Sequence, residues 1–113
     1  MGVPVVHFEI GNKDLARASS FYSALFEWSV GKPDRGYAVV DTGSPIGIGG
    51  GLMQLPGGPP PYVTIYVRVD DLDKYLLRAE ELGGKTAMGP MDVGDIGAFA
   101  LFEDPDGNVI GLF

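Results

Sequence analysis

Apolar and polar positions alternate in short runs along this chain, and twice the period changes from that of a strand to that of a helix. Residues 4–10 alternate as a strand. Over residues 14–26, Leu15, Ala18, Phe21, Tyr22, Leu25 and Phe26 then recur at helical spacing. Asn12 or Asp14 can cap this helix by accepting from the orphan amides of its first turn, and its apolar stripe is expected to face a sheet. Residues 28–30 predict a short strand before a turn at Lys32, Pro33 and Asp34. Residues 37–40 and 46–55 predict two more. The last is loaded with glycine, and Gly49, Gly50 and Gly51 permit either a bulge or a close approach to the backbone.

The second half repeats the pattern. After a Gly- and Pro-rich crossover at residues 57–61, residues 62–69 predict a strand. Residues 71–82 predict a helix with Leu72, Tyr75, Leu76, Ala79 and Leu82 on one stripe. Asp70 or Asp71 can be its cap, and Gly83 or Gly84 can end it in the left-handed conformation. Residues 85–88, 97–102 and 108–113 predict three short strands, the last two joined by a strong turn signal from Asp104 to Asn108. His7 to Thr64 and Asp14 to Asp71 are both separations of 57 residues. The chain is thus expected to be a single α+β domain over residues 1–113, built of tandem βαβββ modules at about 4–56 and 61–113. Paired modules can form one curved mixed sheet around a cleft.

Composition narrows the functions available. Apolar residues form 45% of the chain and charged residues 20%, a globular balance. Eight basic residues against fifteen acidic ones leave a net charge of -7 with no basic cluster, which argues against nucleic-acid and anionic-membrane partners. The absence of cysteine removes disulfides, thiolate nucleophiles and sulfur-ligated zinc. No signal-peptide pattern or membrane-length apolar run is present, so a cytoplasmic location is expected. The glycine run has neither a phosphate-loop lysine nor the spacing of a dinucleotide fingerprint.

Four stretches in order, VVHFEI, FYSALFEW, YVRVDDLDKYLLRAEELGG and FEDPDGNVIGLF, resemble the superfamily of glyoxalases, bleomycin-resistance proteins and extradiol dioxygenases, the vicinal oxygen chelate (VOC) fold. The resemblance covers essentially the whole chain and implies a glyoxalase-like fold and a homodimer whose subunits complete two clefts. Metal enzymes of that family take His or Glu ligands from the first and last strand of each module. Carried onto this chain, the positions are His7, Thr64, Gly111 and a point near Gly49, so only His7 is a ligand type. A lone histidine does not hold a divalent ion usefully. No metal or other cofactor is therefore expected.

Strand parity places His7 and Glu9 on one face, and Thr64, Tyr66 and Arg68 on one face of the equivalent strand. His7 can act as a base or ligand-binding donor, or can be a satisfied sheet histidine. Glu9 and Arg68 can pair with each other, or Arg68 can receive an anionic substrate. His7, Glu9 and Tyr66 are the candidate catalytic residues; Thr64, Arg68, Trp28 and Asp92 are the candidate ligand contacts. Asp92 and Asp95 can rim an entrance or belong to a solvated loop. Trp28, Phe21 and Phe26 can equally be core or dimer contacts. The leading expectation is a metal-independent protein that binds a small organic molecule in its cleft. The alternatives are a small lyase or isomerase with His7 or Glu9 as base and Tyr66 or Arg68 on the developing oxyanion, and a non-catalytic dimeric scaffold.

Overall fold

The computed structural model describes residues 2–94 and 97–113, so Asp95 lies outside the described residues. Among the described residues ten elements follow in order: β1 (Val5–Asn12), α1 (Leu15–Phe26), β2 (Ser29–Val30), β3 (Tyr37–Asp41), β4 (Gly49–Gln54), β5 (Tyr62–Val67), α2 (Leu72–Glu81), β6 (Lys85–Asp92), β7 (Ala98–Glu103) and β8 (Val109–Leu112). The fold is α+β, with tandem βαβββ modules that each build a mixed sheet.

Two compact units carry these modules: His7–Val63, and Thr64–Phe113 with residues up to Val6. In the first unit the strands lie in the order β2-β3-β4-β1, with β1 parallel to β4 and the other neighbours antiparallel. In the second the order is β6-β7-β8-β5, with β5 parallel to β8 and the other neighbours antiparallel. Strand for strand the two arrangements agree, which makes the repeat read from spacing a repeat of topology. The parallel pair in each module is possible because a helix and two strands separate its members, long enough for a crossover.

Local chemistry sets the helix ends. Asp14 accepts from the backbone N–H of Arg17 at 3.1 Å and Asp71 from that of Lys74 at 3.1 Å, each satisfying an orphan donor. Gly83, at φ 102°, ends α2 in the left-handed region as expected. Glu27 does the same for α1 at φ 59° without a glycine, its N–H donating to the Ser23 carbonyl. In the turn before β8, Asp104 accepts from the N–H groups of Asp106 and Asn108 and from the Asn108 amide, which holds its carboxyl below the usual range.

Each unit has its own core on the helix side of its strands. In the first, Leu15, Ala38, Val40 and Leu52 are buried, with Phe8, Ile10, Ala18, Tyr22, Trp28 and Val30 packed against them. In the second the core is Leu76, Ala100 and Leu112, with Val67, Leu72, Tyr75 and Phe102 around it. The stripe of α1 divides: Leu15, Ala18 and Tyr22 face the strands, whereas Phe21, Leu25 and Phe26 are more than half exposed. Strand β6 runs on to Asp92, past the expected end at residue 88, through two register shifts that let an irregular strand stay paired with β7. Among the described residues no helix is long and apolar enough to cross a membrane.

Candidate functional site

Because strand side chains alternate, filling the helix side with Phe8, Ile10, Ala38, Val40 and Leu52 sends their sequence neighbours to the opposite face. In the first unit that face carries His7 and Glu9 on β1, Gly49, Gly51 and Met53 on β4, and Tyr37 and Val39 on β3. His7 pairs with Gly49 in register and Glu9 with Gly51. Two strand glycines open room for aromatic rings. A Cβ on Gly51 would fall inside the Tyr37 ring and hydroxyl, and one on Gly11 would fall inside the Tyr62 ring.

Each tyrosine thereby reaches an ionisable group on β1. The Tyr37 hydroxyl lies 2.6 Å from Nε2 of His7, and the two rings are within 22° of coplanar. Tyr62 donates to Oε2 of Glu9 at 2.5 Å, and its hydroxyl also lies 3.5 Å from the Met53 sulfur. Glu9 is only 7% exposed. Burial lowers the pKa of His7 and the nearby Glu9 charge offsets this in part. Burial also raises Tyr37, with help from the Glu9 charge. Tyr62 is raised by burial, then by its hydrogen bond to Glu9 and by the Glu9 charge. A neutral imidazole and two protonated phenols around a buried carboxyl group are the state that results at neutral pH.

The second unit repeats the device. Tyr66, 8% exposed, lies over Gly111, where a Cβ would enter its ring, and meets Phe99 edge-on at 6.2 Å. Thr64 is buried and its hydroxyl donates to the Val109 carbonyl at 2.6 Å. Arg68 is exposed, and its backbone N–H donates to the Pro4 carbonyl.

Of the residues singled out in the sequence, His7 and Glu9 share one face as strand parity required. Trp28 does not join them. It packs on the helix side against Phe8, Tyr22 and Phe26, with ring centroids 5.0–5.4 Å away. Asp92 is exposed at the end of β6, accepting from the Gly94 N–H. Tyr37 and Tyr62 join this face although neither is among the candidates read from the sequence. The available signal was the glycines in strands, since a glycine beside an aromatic on a neighbouring strand is a place where the ring can cover bare backbone.

The metal positions of the resembled family fail a direct test of fit. Register makes Gly51, rather than Gly49, the counterpart of Gly111: Glu9 pairs with Gly51, and Tyr66, 57 residues after Glu9, pairs with Gly111. At both glycines a tyrosine ring fills the volume that a carboxylate stem would need, and the Thr64 hydroxyl proton is committed to a backbone carbonyl. Among the described residues no group of three His, Cys, Asp or Glu could hold a metal ion. Surface depressions of about 310 Å3, at Lys13, Arg17 and Phe21, and about 450 Å3, at Lys74 and Tyr75, are lined by neither His7 nor Glu9.

With this geometry in place, the relationship to known proteins is clear. Residues 5–112 match the Glyoxalase/Bleomycin resistance protein/Dioxygenase superfamily, and the chain belongs to that family. It is 32% identical over 123 aligned positions to the anthracycline biosynthesis protein DnrV of Streptomyces peucetius, covering 94% of this chain and 45% of that protein. The chain thus spans less than half the length of that relative. Among solved structures it is similar in fold to the Mn(II)-bound glyoxalase from Novosphingobium aromaticivorans, at TM-score 0.71 and 19% identity over 97% of this chain and 38% of that one. A superfamily member from Vibrio splendidus matches over 98% of this chain and 97% of its own, at TM-score 0.65 and 19% identity.

Proposed function

We propose that this protein binds a small organic molecule on the face carrying His7 and Glu9, without a metal ion, as a homodimer in the cytoplasm. The observation that carries the reading is the pairing of Tyr37 with His7 and Tyr62 with Glu9, seated on the glycines of the strands. Polar groups that converge on an otherwise apolar face are what a ligand site needs for orientation. Membership of the family supports a ligand-binding cleft on that face. The relative more than twice as long supports a partner subunit.

Thermal shift against a metabolite panel tests the binding reading, since a ligand of the native state raises apparent stability by mass action. A hit must also lose its effect in Glu9→Gln or Tyr37→Phe; a hit indifferent to both places the ligand elsewhere. Light scattering tests the dimer, and a mass that stays at 12.0 kDa at all concentrations overturns it.

A second reading, a lyase or isomerase, is favoured by one specific feature. Burial keeps His7 neutral, and with its proton on Nδ1 the imidazole can take the Tyr37 hydroxyl proton at Nε2 as the Tyr37 oxygen takes a proton from the substrate, which passes one proton along the 2.6 Å contact. Turnover that survives replacement of His7 and of Glu9 would end this reading.

A further inference from the structure

Resting on the binding reading above, we infer that the ligand is an uncharged planar aromatic compound, which lies flat on the plate formed by His7 and Tyr37. The plate is a product of three observations. The imidazole and phenol rings meet edge to edge through the 2.6 Å contact, with planes only 22° apart and centroids 6.3 Å apart. The phenol lies directly on Gly51, where the sheet has no side chain to lift it. Beside it Val39, 62% exposed, extends the surface with a flat aliphatic patch. A planar ring system can stack over such a surface in offset contact, whereas a puckered aliphatic one touches it at a few atoms only.

Charge selects among planar ligands. On this face of β1, β3 and β4 the charged side chains are Glu9 and Asp41, both acidic, and no Lys or Arg is among them. The basic residues Lys13 and Arg17 of the same unit line the separate depression at the start of α1. Both phenols are held protonated by burial. An anionic group brought against the plate would be desolvated beside a buried carboxyl group with no cation from these strands to receive it. The competing assignment is Arg68 as the receiver of an anionic substrate, and the two make opposite predictions.

Three probes separate them: hydroxymethyl-anthraquinone, which is flat and neutral; anthraquinone sulfonate, flat and anionic; and a decalin alcohol, neutral but puckered. The readout is the imidazole proton signal of His7, unambiguous because the chain has one histidine. The single tryptophan, Trp28, lies on the opposite side of the strands and serves as the reference that should not respond. The neutral anthraquinone is expected to shift His7 saturably, at least tenfold more tightly than either other probe. Val39→Asp, at an exposed position, is expected to weaken it about tenfold while leaving the fold intact, and Arg68→Ala to leave it unchanged. Sulfonate binding as tight as the neutral probe, abolished by Arg68→Ala, would overturn the inference in favour of an anion site. Equal binding of the decalin alcohol would overturn the planar assignment. If none of the three shifts His7, the planar class is wrong, and the metabolite panel, which presupposes no ligand shape, shows separately whether the face binds anything.

Discussion

Tyr37 and His7 come from strands that are not neighbours: β4 lies between β3 and β1, and the tyrosine crosses it over Gly51 to bring its hydroxyl within 2.6 Å of Nε2. A side chain at residue 51 would stand in that path. The glycine, the phenol and the imidazole are therefore one structural unit, and each should report on the others.

His7 is the first reporter. Its pKa is lowered in the folded protein from an ordinary value of 6.5, so between the two values the unfolded chain binds more protons than the native one. Stability from this group is fully present above pH 6.5 and is lost as pH falls toward the folded value. Urea unfolding of the wild type and His7→Gln in that window should show the variant to be the less pH-dependent. Identical slopes would mean that burial does not hold the imidazole neutral.

At the alkaline end the sign reverses. Tyr37 and Tyr62 are raised well above their ordinary value of 10.0, so above that pH the native state holds protons that the unfolded chain gives up, and stability falls as pH rises. Spectrophotometric titration should find Tyr37 and Tyr62 ionising late. Tyr37→Phe and Tyr62→Phe should each remove one late step.

Gly51→Ala and Gly111→Ala should each destabilise by about 1–3 kcal/mol, the usual range for overpacking, because the new methyl must displace a tyrosine ring. Gly111→Glu should lose more, since a charge follows the methyl into a buried site. Gly57→Ala, with nothing within 4 Å of its Cβ, should be neutral within a few tenths of a kcal/mol by chemical denaturation.

Glu27 caps α1 at φ 59°, a conformation that crowds any Cβ. Glu27→Gly should stabilise by about 1 kcal/mol, read as a higher melting temperature. An unchanged or lower melting temperature would show that the Glu27 side chain offsets the strain.

Much of this was legible in the chain itself, and what was legible was local. Asp14 and Asp71 as caps and Gly83 as a stop depend on neighbours within four residues, and strand parity alone put His7 with Glu9. Tyr37 and Tyr62 were illegible as site residues because their roles depend on register: Tyr62 reaches Glu9 across 53 positions and Tyr37 reaches His7 across 30. The counterpart of Gly111 likewise shifted from near Gly49 to Gly51 once the pairing of β1 with β4 was known. Trp28 precedes a strand of two residues, too short for alternation to assign a side, and its ring went to the core face with Phe8 and Tyr22.

The way the two units divide the chain has a consequence for synthesis on the ribosome. His7–Val63 is continuous in sequence, so all of its contacts become available once residue 63 has emerged. The other unit draws on residues up to Val6 as well as on Thr64–Phe113, and Pro4 accepts from the N–H of Arg68. Its earliest residues are made first and used last, waiting through the whole of the first module for their partners. The segment up to Val6 thus lacks its partners until the chain beyond residue 63 has emerged, and nascent-chain stalling after residue 63 should leave it open to protease while the first module is already protected.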